Sequence, residues 1–192
     1  MASLTRLDLN VSTAAWNAVG FPIGAWKLGN TCVSIGENVA KQGISASILG
    51  LEGDTGVLNL TPSTGMSFCE VAREALGLES VDHLMVRTRD AEKTLSSLSK
   101  SLGVDISVDV NGEQSVWLDS VRIDMVPTPD LSEPAELWGI AFRVTNLDVV
   151  AERLGGEVLG APKAARQSGQ RVAVFRSSAG LGVPTALVDL LG

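Results

Sequence analysis

The sequence predicts an α+β fold: tandem β-α-β-β-β modules preceded by a partial module at the N-terminus. Three observations predict it. One order of strand-like alternation, helical stripe and further strand-like runs occurs twice, over 81–127 and 137–190. Each helical stripe opens at Asp or Asn and closes at Gly, residues that cap helix ends. The chain has 192 residues, 45% hydrophobic and 19% charged, enough to bury a core and too apolar for disorder.

In the first module, Val81-Asp82-His83-Leu84-Met85-Val86-Arg87 alternates as a strand does. Asp90 is the N-cap of a helix whose stripe is Ala91, Leu95, Leu98 and Leu102, and Gly103 ends it. Strands follow at 106–110, 114–118 and 121–126, the first two joined through Asn111-Gly112. The second module opens with a strand over 139–144. Asn146 caps a stripe of Leu147, Val150, Ala151 and Leu154, stopped by Gly155-Gly156. A short strand near Val158, a polar loop over 163–170, and strands over 171–175 and 185–190 complete it. The proline-rich, acidic stretch 127–136 has linker composition.

Residues 1–60 read as a degraded third copy, with strands at 4–11, 31–35, 44–51 and 57–60 and a helix over 13–19. Ser67 to Glu70 has a capping-box pattern that opens a connecting helix to Leu76. The expected division is therefore 1–78 for the partial module with its connecting helix, and 79–192 for the paired modules.

Composition excludes several functions. The formal net charge is −7, and the 15 Lys and Arg are scattered, so no basic face for nucleic acid or anionic membrane is expected. No apolar run approaches the ~18 residues of a membrane span. The start, MASLTRLDLN, has no signal-peptide pattern, and a cytoplasmic setting is expected. Cys32 and Cys69 lie far apart and read as two reduced, buried thiols. The single histidine, His83, excludes any multi-histidine site within one chain.

The openings VDHLMVRTRD and LWGIAFRVTNLD resemble those of the glyoxalase/bleomycin resistance/dioxygenase (vicinal oxygen chelate) superfamily. The tail from Leu159-Gly160-Ala161-Pro162 through Gln167, Gly169, Arg171 and Ala179-Gly180-Leu181 resembles a bacterial glyoxalase-like group. The resemblance covers 81–190 well and 1–60 weakly. It implies modules whose strands curl around a cavity, often at a divalent metal, with one ligand on the first and last strand of each. His83 matches the first such ligand and Asp124, in VRIDMV, the second. Gly139 and Ala186 stand at the other two positions and carry no donor. The implied metal set, His83 and Asp124, is incomplete, since a catalytic zinc takes ~3 protein ligands.

Strand alternation puts Val81, His83, Met85 and Arg87 on one face, Arg122 and Asp124 on another strand's, and Gly139, Ala141 and Arg143 on a third's. If these faces are the cavity's, Arg87, Arg122 and Arg143 either bind the carboxylate or phosphate of a small anionic molecule or pair and reach water. His83 is a metal ligand, a base with Asp124 as partner, or a hydrogen-bonded sheet residue. Loop 164–171 is a lid or a solvated hairpin, and Trp117 and Trp138 stack on a ligand or serve a core. Two functions follow. One is a glyoxalase-like enzyme of metal-assisted lyase, isomerase or dioxygenase type, with His83 and Asp124 catalytic and the three arginines binding substrate. The other is a non-catalytic drug- or metabolite-binding protein that has lost the metal, with a purely structural role as a third. The partial module has no obvious partner within the chain; with Trp16, Phe21 and Trp26 it either covers an open sheet edge or pairs with the same segment of another chain, and a homodimer is expected.

Overall fold

The computed structural model describes residues 2–37, 43–49, 51, 58, 60–63, 70–71, 76–132 and 135–191. Strand β1 is Ser3–Asn10, helix α1 Thr13–Ala18, and β2 to β6 are Gly24–Leu28, Thr31–Gly36, Gly43–Leu49, Leu60–Ser63 and Glu70–Val71. The first full module is β7 (Leu78–Thr88), α2 (Ala91–Leu102), β8 (Ile106–Val108), β9 (Gln114–Leu118) and β10 (Val121–Pro127). The second is β11 (Ala135–Val144), α3 (Leu147–Leu154), β12 (Lys163–Ala164), β13 (Gln170–Val174) and β14 (Thr185–Leu190).

These ten elements carry one eight-stranded sheet, ordered β12-β13-β14-β11-β7-β10-β9-β8. In each module the first strand lies parallel to the last, β7 on β10 and β11 on β14, as a helical crossover requires. The modules meet along the antiparallel pair β7/β11. This is the predicted fold, and its helices form for the predicted reasons. The Asp90 carboxylate accepts from the Lys93 N–H at 3.0 Å, and Gly103 closes α2 at φ 62°, a left-handed turn that glycine tolerates. Thr94, Leu95, Leu98 and Leu102 are its buried stripe. The Asn146 side chain accepts from Asp148 and Val149 at the start of α3.

The N-terminal sheet, ordered β5-β4-β1-β3-β2-β6, repeats the larger one in shortened form. Strand β1 is parallel to β3 and antiparallel to β4, β3 is antiparallel to β2, and β4 is parallel to β5. So β1, α1, β2 and β3 make a module one strand short. Strands β4 and β5 stand where the first and last strands of its partner would. Even an irregularity recurs. Thr5 is an extra residue in β1 against Ile48 and Ser47, as Asp82 is in β7 against Phe142 and Ala141.

Three local expectations change. Strand β2, absent from the prediction, is a five-residue segment whose Trp26 and Leu28 are buried. Glu70–Val71 is a strand on β2 rather than part of a helix, and residues 67–69 and 72–75 of that expected helix lie outside the described residues. Near Val158 there is only a bridge, between Leu159 and Phe175.

The expectation that the N-terminal segment lacks a partner within the chain is also corrected. One continuous core joins both sheets. Phe142, fully buried on β11, receives Phe21 at a ring-centroid distance of 5.2 Å and Trp16 and Trp26 at 6.3 Å each. The Trp16 indole N–H donates to the Leu181 carbonyl at 2.8 Å. The physical reason is area: α3 buries only Leu147 and Val150, too little to cover the row Ile140, Phe142 and Val144. Cys32 is disulfide-bonded, which overturns the reading of reduced thiols; Cys69 lies outside the described residues. Among the described residues no helix is long and apolar enough to cross a membrane.

Two outcomes are expected. Phe142→Ala should cost about 3–5 kcal/mol in urea unfolding followed by tryptophan fluorescence, the range for emptying an aromatic core position. Cys32 should resist a thiol reagent in denatured protein until a reductant is added.

Candidate functional site

A cleft of about 710 Å³ opens on the face of the larger sheet opposite that core, lined by His83, Met85, Trp117, Arg122, Asp124 and Gln167 among others. Parallel pairing of β7 with β10 sets Arg122 beside His83 and Asp124 beside Met85. Asp124 leans back along its strand, so that its Oδ2 lies 4.0 Å from His83 Nε2. Arg122 Nη2 donates to Asp124 Oδ2 at 2.7 Å. The Arg122 Nε atom is 2.7 Å from Oδ1 but out of line for a hydrogen bond, and it is buried without another partner.

Simple alternation fails at one point of β7. Ala141 pairs with His83 and Phe142 with Val81, so Asp82 is an extra residue, a β-bulge. Two expectations change with it. Val81 lies with Phe142 in the core rather than on the cavity face. Asp82, which alternation sends to the opposite face from His83, instead accepts a hydrogen bond from His83 Nδ1 at 3.0 Å. It also takes two from Arg143, of which the Nε bond is 3.1 Å. Burial pushes the Asp82 carboxyl up, but the bonds from His83 and Arg143 outweigh it and hold it below the ordinary carboxylate value. Sequence reasoning missed Asp82, because the bulge has no signature in the residues themselves.

The three predicted arginines do not converge. Arg122 lines the cleft, whereas Arg87 pairs with Glu136 and lies 5.3 Å from the Trp138 ring, and Arg143 pairs with Asp82. Each therefore has a carboxylate partner. The polar loop after β12 crosses the mouth of the cleft. Arg122 donates to the Gln167 side chain, Arg166 to Glu113 at 3.1 Å, and Asn111 to the Arg166 carbonyl at 3.3 Å. The loop thus ties the second module to the β8–β9 hairpin of the first. Trp117 faces the cleft, 37% exposed.

Among the described residues, those at the expected positions do not fit a metal ion. A Cβ built on Gly139 would fall 2.8 Å from the Met85 methyl and 3.0 Å from the Pro184 carbonyl oxygen, so no donor side chain fits there without displacement. Ala186 is buried in an apolar cluster with Ala141 and Val188, packed by Val172. Among the described residues no group of three or more candidate ligands is placed to hold a metal. His83 and Asp124 alone fall short of the ~3 protein ligands of a catalytic zinc.

No family model matches the sequence, and no curated protein matches it. Among solved structures the chain is similar to methylmalonyl-CoA epimerase from Mycobacterium tuberculosis, at 18% identity over 62% of this chain and 93% of that one, with a TM-score of 0.49. It is similar to the Streptomyces coelicolor epimerase in complex with 2-nitronate-propionyl-CoA, at 17% identity over 59% and 95%, with a TM-score of 0.45. A hypothetical protein from Bacillus halodurans C-125 is similar at 14% identity over 57% and 92%, with a TM-score of 0.44. The likeness is one of fold. This chain's own strand order and module connections are the tandem β-α-β-β-β arrangement predicted from the sequence.

Asp82 gives a signed pH prediction. Its folded value lies below the unfolded value of about 3.9, so its stabilisation is present above that pH and is lost as pH falls through the folded value. Asp82→Asn should therefore lower stability by about 1–3 kcal/mol at neutral pH and less in acid, read from urea unfolding across pH. Gly139→His should lower the melting temperature, by the ~1–3 kcal/mol of an overpacked core, and gain no bound zinc in a metal titration.

Proposed function

We propose that this chain binds a small molecule in the cleft between its two full modules, without a metal ion. The observation that carries this reading is the second module's half of the site. Where two metal ligands would stand, Gly139 is filled in by Met85 and Pro184, and Ala141, Ala186, Val172 and Val188 form an apolar wall beside an open cleft. A ligand would lay its apolar body on this wall and on Trp117, and direct polar groups to His83, Arg122 and Gln167. Of the arginines expected to recognise an anion, Arg122 lines the cleft, and an anionic group would displace Gln167 from it. Arg87 and Arg143 would act in this reading through the carboxylates they hold.

Catalysis is the second reading, and one observation favours it: the hydrogen bond from His83 to Asp82 next to Arg122. Lyase, isomerase or dioxygenase chemistry would then run on side chains of this chain, with His83 and Asp124 at the reacting group.

The test is a thermal-shift screen of chelator-treated protein against small molecules, neutral and anionic. A ligand at a hundredfold its Kd adds about 2.7 kcal/mol, a rise of roughly 5–10 °C for a chain of this size. The expected result is such a rise with chelator present, reduced in Trp117→Ala and Gln167→Ala. Stabilisation that requires an added divalent metal overturns the reading.

A further inference from the structure

The larger sheet ends in two edge strands, β12 and β8, with six strands between them. Laid flat, such edges would lie roughly 30 Å apart, since neighbouring strands are about 4.8 Å apart. Instead the chain beside one edge meets the chain beside the other. Residues 165–169, which follow β12, touch the hairpin that joins β8 to β9. Arg166 Nη1 donates to Glu113 at 3.1 Å, and the Asn111 side chain donates to the Arg166 carbonyl at 3.3 Å. Further in, Arg122 on β10 donates to the Gln167 side chain. The sheet therefore curls until its edges face each other, and the loop bridges the gap beside the cleft, whose lining includes Ala165, Arg166 and Gln167.

What holds this bridge is polar. The Arg166 and Glu113 side chains are 86% and 53% exposed, and an ion pair in water is worth little. Arg166, Gln167, Ser168 and Gly169 bring no apolar side chain to anchor the loop. Its roots suit a swing. Strand β12 pairs with β13 through two residues, and Gly169 stands at φ 79°, the left-handed region that glycine tolerates. The loop also has a turn of its own to keep when it moves, closed by the Ala165 N–H donating to the Gln170 carbonyl at 2.9 Å. We infer that residues 165–169 are a gate on the cleft, with Gln167 as its catch on Arg122 and Arg166 as its catch on Glu113. The inference rests on the reading that the cleft takes a small molecule, and it adds how that molecule enters: by release of these side-chain bonds, which parts the two edges of the sheet.

The test is made on the full chain, without reductant and without a ligand. Nitroxide labels on Val110→Cys and Ser168→Cys, both at exposed positions, report the distance across the gap by pulsed electron paramagnetic resonance. The expected result is one short distance, joined by a longer one when Gln167→Ala and Glu113→Gln are added. Glu113→Gln alone, at an exposed position, should bring in part of the longer distance, and it decides the matter if the combined variant fails to fold. The second readout is access. Met85 lines the cleft, and its oxidation by chloramine-T, followed by mass spectrometry, should run several-fold faster in the unlabelled Gln167→Ala, Glu113→Gln variant than in the wild type. A distance that the substitutions leave unchanged, a wild-type distance already as spread as the variant's, or Met85 oxidation that does not respond overturns the inference. A gate that opens as expected, with no stabilising compound in the thermal-shift screen, would sink the small-molecule reading alone.

Discussion

The antiparallel seam between β7 and β11 is the constraint on which the rest of the molecule depends. It joins the two full modules into one sheet and gives that sheet two unlike faces. On one face, Leu84, Val86, Ile140 and Phe142 are fully buried and receive the N-terminal aromatics. On the other, His83, Met85, Gly139 and Ala141 sit side by side across the seam. The seam is irregular at Trp138, at Asp82 and at Glu79, and the first two irregularities have consequences for side chains. One leaves Trp138 near Arg87. The other turns Asp82 toward His83. A regular seam would leave the imidazole with Asp124 alone, at 4.0 Å, beyond hydrogen-bond reach.

Much of this was legible in the sequence because its causes are local. Asp90, Gly103 and Asn146 mark helix ends through their own chemistry, and the rows around His83 and Phe142 alternate with the period of a strand. The pairing of Arg122 with Asp124 follows from two residues sharing one face of β10. What could not be read depends on contacts distant in the chain. The bulge at Asp82 is set by the register against β11, sixty residues away. Strand β2 needs the buried side of β3 and the aromatic cluster to make Trp26 a sheet residue. The pairing of Arg143 with Asp82 follows from the same bulge, so a face list built on strict alternation could not contain it.

The N-terminal sheet shows how a repeat can shorten and keep its role. Strands β1, β4, β3 and β5 preserve the pairing senses of β7, β11, β10 and β14, so the strands nearest the seam survive. What is missing among the described residues is the outer part of its second module. The loss falls where it costs least. Outer strands would enclose a second cleft, whereas the inner ones carry Leu7, Leu9, Val33 and Ile48, which are buried in the shared core. The segment thereby supplies apolar cover for β11, and Trp16 closes the join through its bond to Leu181.

The same logic explains why His83 has a carboxylate at its back. Asp82 is buried, satisfied by Arg143 as well as by His83, and removing it would leave a guanidinium in the sheet without its partner. Folding therefore retains the pair for its own stability while Gly139 and Ala186 turn the opposite wall apolar.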